Sequence, residues 1–202
     1  MTRAGPLIGL RALSQEDRLQ LLTWRNDPAV RRWMYTDHWI SHEEHAAWFD
    51  LAVVDRSRRY WVIECDGAPV GLANIYGLDA KNGRASWAFY LGEAGMRGKG
   101  VGAVVEYRVI EHAFGPLGLN KLWCEVLVEN LGVLRLHESF GFQREALFRD
   151  HLLKEGTWTD VVGLGLLRSE WEARRAASRA RLEALGFGAS LDAQAPEPSW
   201  AS

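Results

Sequence analysis

The chain has 202 residues, 48% of them hydrophobic and 25% charged, and 24 basic side chains set against 26 acidic ones leave a formal charge of −2. That length suits one domain, or one domain with an appendage, able to bury about 70% of its unfolded surface. The near balance of charge excludes a general electrostatic pull toward nucleic acid or membrane, so partners have to be argued from local sites. The two cysteines, Cys65 and Cys124, sit far apart in apolar runs without CxxC spacing and read as buried thiols, with neither metal nor disulfide expected. No stretch approaches the ~18 apolar residues of a membrane span, and the N-terminus lacks an apolar leader with a cleavage site, so a cytoplasmic protein is expected.

Ser14 with Asp17 is a capping-box pattern ahead of Leu19, Leu21, Leu22 and Trp24, a helix face that should end before Pro28. Ser41 with Glu44 repeats the signal and opens a second helix through Phe49 to Val54. "RRYWVIEC" and "PVGLANIY" are β-rich runs joined by Asp66-Gly67, a hairpin turn, and "RASWAFYLG" is a third run. "VGAVVEYRVIEHAF" then has the apolar spacing of a helix packed on a sheet, stopping at Gly115-Pro116. "NKLWCEVLV" reads as a strand, "NLGVLRLHESF" as a short helix ending at Gly141, and residues 146–167 as a hairpin turned at Glu155-Gly156. A charged helix, "SEWEARRAASRARLEALGF", closes the chain before an Ala-, Pro- and Ser-rich tail expected to be disordered.

Residues 93–105, "EAGMRGKGVGAVV", lead into the long helix. Glycines let backbone N–H groups approach a ligand without a Cβ in the way, and a helix N-terminus adds free amides and a positive dipole end, a combination that suits phosphate. A P-loop would place Ser or Thr after its lysine to hold Mg²⁺, but Lys99 is followed by Gly100. Gly98, Gly100 and Ala103 also satisfy the G-x-G-x-x-A of a dinucleotide fold, with Glu125 at the right distance for a ribose. That fingerprint belongs after the first strand of a parallel βαβ series, whereas this loop follows an antiparallel meander and too few βα units remain.

"MRGKGVG" contains R-x-x-G-x-G at Arg97, Gly100 and Gly102, and resembles the acetyl-CoA pyrophosphate loop of the GNAT acetyltransferase superfamily. "VENLGVLRLHESFGF" resembles that family's second mark, N-x-x-A-x-x-x-Y-x-x-x-G-F, with Asn130 and Gly141-Phe142 in register. The resemblance covers about residues 6 to 172, leaving residues 173–202 as helix and tail. It implies a single α/β (α+β) domain with a mixed, mostly antiparallel sheet splayed at the acetyl-CoA site and helices on both faces. It further implies Phe89, Tyr90 and Leu91 along the pantetheine arm, and Asn130 near the pantetheine. The pyrophosphate would lie on the backbone amides of Arg97, Gly98, Lys99, Gly100, Val101, Gly102 and Ala103. Asn130 also reads as a helix cap, and the two roles can coexist.

Acetyl transfer from a thioester to an amine needs a neutral amine, a donor near the carbonyl oxygen and a proton for the leaving thiolate. Where the family often has tyrosine, this chain has His137, a candidate acid with a reference pKa of ~6.5 against ~8.5 for a thiol. A histidine that merely packs beside the cofactor is an equal reading. Glu125 is the candidate base, though water can also deprotonate the amine.

"WRNDPAVRRWMYTDHWISHEEHAAWF", residues 24–49, carries four tryptophans with Met34, Tyr35, His38 and His45, rings that can stack on a sugar or base beside cations that can meet phosphate. The segment is similar to the sugar-nucleotide N-acetyltransferases of pseudaminic acid biosynthesis, which acetylate the 4-amino group of a UDP-linked 4-amino-4,6-dideoxy sugar. That similarity implies a sugar pocket of Met34, Tyr35 and Trp48, with Arg25 and His45 on phosphates. Asn74, on a strand facing the cleft, is a candidate hydrogen-bonder to the acceptor. The expected donor is acetyl-CoA, and the expected partner is a small amino sugar nucleotide. The rivals are ribosomal-protein Nα-acetylation and a CoA-binding module without catalysis.

Overall fold

Strands β1 (Ile8–Ala12), β2 (Arg59–Cys65), β3 (Ala68–Asp79) and β4 (Arg84–Leu91) pair antiparallel in that order in the computed structural model, which describes residues 5–55, 57–192 and 196. Asp66 and Gly67, with φ of 51° and 81°, make the β2–β3 turn in left-handed backbone, as an Asp-Gly pair does at low cost. Between β1 and β2 come three helices. Ser14 donates through its N–H and its Oγ to Asp17 Oδ2 (2.8 and 2.9 Å), and one tight turn leads into α1 (Arg18–Asn26). Pro28 starts α2 (Pro28–Arg31) after Asp27 caps it through Ala29 N–H. Ser41 Oγ accepts from Glu44 N–H at 3.1 Å and opens α3 (His42–Ala52).

After the glycine loop, α4 (Val101–Phe114) crosses over to β5 (Lys121–Leu127), which runs parallel to β4. α5 (Leu131–Phe140) ends at Gly141, in left-handed backbone at φ 103°, and the long hairpin of β6 (Gln143–Lys154) and β7 (Thr157–Leu167) turns at Glu155 and Gly156. β7 inserts beside β5, so the sheet order is β1-β2-β3-β4-β5-β7-β6. The expected mixed, mostly antiparallel sheet is therefore present.

Both faces are covered. On one, Val104, Val105, Val109 and Ile110 of α4 meet Trp61, Ile63, Ile75 and Trp87 of the strands in the main core. On the other, Leu21 and Trp24 of α1 and Phe49 of α3 pack on Tyr60, Val62 and Leu72. α6 (Arg168–Ala184) and α7 (Gly188–Leu191) close the chain, and their Trp171, Leu182 and Leu191 enter the main core. The division expected at residue 172 falls within α6. Of the tail expected to be disordered, residues 193–195 and 197–202 lie outside the described residues, while residues 188–191 form α7. No helix among the described residues is long and apolar enough to cross a membrane.

Candidate active site

β4 and β5 pair over three positions only: Arg84 with Lys121, Ala85 with Leu122 and Ser86 with Trp123. Beyond Ser86 the strands part, and a cleft of about 630 Å³ opens between them. Its floor is Trp87, Phe89, Tyr90 and Leu91 from β4 and Cys124, Glu125, Val126 and Leu127 from β5. The crossover through α4 brings β5 in parallel to β4, while β7 holds β5 along its full length on the other side.

One end of the cleft is the glycine loop. Gly98 and Gly100 take φ of 75° and 83°, a region that favours glycine, and a Cβ at Gly98 would point into open space. Gly100 caps the 14-residue α4, and its carbonyl accepts from Ala103 and Val104. The N–H groups of Val101 and Gly102 precede that first helical bond. Arg97, Gly98, Gly100, Gly102 and Ala103 line the cleft. Lys99 is exposed beside it, and the Val101 side chain turns into the core. Two of the seven amides are engaged in the chain itself, Arg97 N–H to the Ala94 carbonyl (3.4 Å) and Ala103 N–H to Gly100. Asn130 stands at the N-cap of α5 without a side-chain cap hydrogen bond and lines the same cleft.

At the middle of the cleft lies His137, buried at 3% exposure, with Nδ1 at 2.9 Å from Glu106 Oε1 of α4. Glu106 is fully buried, and its other oxygen has no partner. Burial works against the imidazolium, but the Glu106 carboxylate and then the Cys124 sulfur outweigh it and raise His137 to about 10. Burial also pushes the Glu106 carboxyl up. Both shifts express one fact: removing the pair's shared proton would strand a bare carboxylate in the core, so the pair keeps it well above the ordinary imidazole range.

The other end is built by residues 29–35, where Ala29, Val30, Trp33, Met34 and Tyr35 face Tyr76 of β3 and Glu125 of β5. Tyr35 donates its hydroxyl to Glu125 Oε2 at 2.5 Å, and burial followed by that carboxylate moves its ionisation far above the ordinary phenol range. The β6–β7 turn holds this segment in place through Lys154 Nζ to the Met34 carbonyl and Glu155 N–H to Asp37 Oδ2 (3.1 Å).

Met34, Tyr35, Glu125, Asn130, His137 and β4 residues 89–91 thus share one cleft. Four other candidates stand outside its lining. His45 is buried against Trp48 and Phe49, with ring centroids at 5.2 and 6.1 Å, and burial and then Arg18 and Arg25 push its imidazole down. Trp48 packs edge-on against Tyr60. Arg25 is half-buried near the Tyr90 hydroxyl, with no partner on Nε. Asn74 lies on β3 between Tyr60 and Ala88, two residues before Tyr76. His45 and Trp48 pack in the layer between α1, α3 and the sheet. Sequence reasoning missed Glu106 and Tyr76. The glutamate is the one acid within a buried helical run, at a position that α5 covers only in three dimensions.

A seven-stranded sheet parted at one parallel seam, with a glycine-launched helix at the parting and an acid–base pair of side chains below it, is the architecture of an acyl-CoA-dependent transferase. The acetyltransferase (GNAT) domain profile matches residues 8–143, and the chain belongs to that family. An uncharacterized N-acetyltransferase p20 of Bacillus licheniformis is 30% identical over 168 residues, 80% of this chain and 93% of its own length. Acetyltransferase PseH of Campylobacter jejuni is 29% identical over 129 residues, 64% of this chain and 78% of its own. The fold matches the crystal structure of spermidine N-acetyltransferase from Vibrio cholerae in complex with CoA and spermine. Its TM-score is 0.77 at 22% identity, covering 82% of this chain and 98% of that one. The chain is accordingly an acetyl-CoA-dependent N-acetyltransferase. Its own loop fits that donor: two left-handed glycines, an open approach at Gly98 and the first amides of a long helix form a cradle for a diphosphate.

Proposed function

We propose that the protein works in the cytoplasm and acetylates a primary amine on a sugar nucleotide, in particular the 4-amino group of a UDP-linked 4-amino-4,6-dideoxy sugar. One observation carries the reading: the acceptor end is walled by Trp33, Met34, Tyr35 and Tyr76, and among the described lining residues Glu125 is its only acid. Aromatic and thioether side chains suit the apolar face of a deoxy sugar, and Arg31 and Arg32 beside Trp33 suit a diphosphate at the rim.

Acetyl-CoA supplies the activated acetyl thioester. Amides of the loop from Arg97 to Ala103 hold its pyrophosphate, and Asn130 and the free edge of β4 at Phe89–Leu91 hold its pantetheine. Glu125, steadied by the Tyr35 hydroxyl on Oε2, takes the amine proton on Oε1. His137, kept protonated by Glu106 through the neutral range, presents a cation and a proton on Nε2 to the departing thiolate. Imidazolium at about 10 is a weaker acid than a thiol of reference pKa ~8.5, so its charge contributes more than its acidity.

A second reading, a polyamine acceptor, draws on the likeness to the spermidine enzyme. A polycation is best met by several carboxylates, and the lining offers one. The experiment is release of CoA thiol with UDP-linked 4-amino sugars, spermidine and N-terminal ribosomal-protein peptides in parallel. Turnover with the sugar nucleotides alone supports the proposal, and preference for spermidine or a peptide replaces it. Binding of acetyl-CoA with no release on any acceptor would leave a binding module.

A further inference from the structure

We propose that Phe187, in the segment joining α6 to α7, is a positioning residue that sets acetyl-CoA affinity by bracing Gly100 of the cofactor loop. α6 ends in a turn through Gly186, in left-handed backbone at φ 92°, with Phe187 N–H returning to the Leu182 carbonyl at 3.0 Å. The turn delivers the Phe187 ring, 5% exposed, to the underside of the loop. A Cβ built on Gly100 would lie 2.7 and 2.8 Å from Cε2 and Cζ of that ring, so the ring occupies the space a side chain at Gly100 would take. Gly100 is where the loop becomes helix, and its carbonyl anchors the first turn of α4.

The ring is itself held from behind. A Cβ at Gly5 would meet its Cε1 at 3.3 Å, Gly5 N–H donates to the Gly186 carbonyl at 2.9 Å, and Ile8 N–H donates to Ser190 Oγ at 2.9 Å. Ser190 is 1% exposed, and Arg179 pairs with Asp192 across the α6–α7 corner. Phe187 is therefore a wedge clamped between the start of the chain and the cofactor loop, and it lies beyond the residues that match the family profile. Amides that grip a diphosphate work only while their directions are kept, and a loop of glycines does not keep them unaided. The inference rests on the reading that the amides of residues 97–103 hold the pyrophosphate.

The test compares full-length Phe187→Ala, Phe187→Leu and Gly102→Pro, which deletes one free amide at a first-turn position that tolerates proline, for kcat, KM of acetyl-CoA and CoA affinity by calorimetry. F187A should raise the acetyl-CoA KM and the CoA Kd about tenfold, the equivalent of one weakened charge-assisted hydrogen bond, with kcat within about twofold. F187L, which refills most of the space, should recover most of that loss and leave a rise of about two- to threefold. If F187A does not fold, F187L carries the test. Wild-type KM and Kd in a folded variant, with only a lower Tm, overturn the brace. If G102P weakens CoA binding while the Phe187 variants do not, the brace alone fails. If G102P leaves binding unchanged, the pyrophosphate reading fails and the inference with it.

Discussion

Replacing Glu106 by glutamine tests the buried proton directly. In the unfolded chain His137 has a reference pKa of ~6.5, and in the folded protein it is raised to about 10. Between those values the folded state binds a proton that the unfolded state lacks, so stability falls as pH rises. The contribution is complete below about pH 6.5 and is lost on passing through 10. The slope is about 1.4 kcal/mol per pH unit, or about 3 kcal/mol between pH 7 and 9. An amide at position 106 no longer stabilises the imidazolium, so Glu106→Gln should remove this slope and, by breaking a buried pair, lower stability at pH 7 by about 3 kcal/mol. Urea titrations of both proteins at pH 7, 8 and 9 read the difference. The Cys65 thiol, raised by burial, also titrates in this region, but it is common to both proteins and cancels. Curves that run parallel from pH 7 to 9 would refute the reasoning.

Tyr35→Phe removes the hydroxyl from Glu125 and should raise the acceptor KM several-fold while leaving that of acetyl-CoA unchanged, which steady-state kinetics with each substrate varied will show. Glu125→Gln should lower kcat by about a hundredfold at neutral pH with the KM of acetyl-CoA unchanged, read by steady-state thiol release; an unchanged kcat would return the amine proton to water. Gly92→Ala puts a methyl 2.1 Å from Cγ of Trp24, whose Nε1 is already tied to Glu93, and should destabilise the protein by about 1–3 kcal/mol in thermal melts.

Much of the framework is legible in the chain because it is written in local rules. Ser41, Asp66-Gly67, Gly141 and Glu155-Gly156 act through their own backbone and nearest neighbours, and each marks the boundary expected of it. The glycine loop is legible because its position after an antiparallel meander separates it from a dinucleotide fingerprint. What depends on distant packing is not. Glu106 meets His137 across 31 positions, and no period along α4 distinguishes it from a solvated acid. His45 and Trp48 are aromatic and adjacent to the acceptor segment, yet α3 lays His45 against Trp48 and Phe49 and Trp48 against Tyr60, outside the lining of the cleft. Residues 169–187 look like a solvated helix because Trp171, Ser178, Leu182 and Phe187 are its only buried members, diluted among arginines and alanines.

The three-pair seam between β4 and β5 also gives the molecule a concealed margin. Past Ser86 and Trp123, two strands in the middle of the sheet turn edges toward each other without meeting, so the interior carries the unpaired amides usually found at a sheet's rim. Those amides of residues 88–91 and 125–127 that face the gap, and not the alternate ones bonded to β3 and β7, should therefore exchange fast for so central a position and should slow when acetyl-CoA binds. The donor would then splice two half-sheets, of four strands and of three, into one cooperative unit.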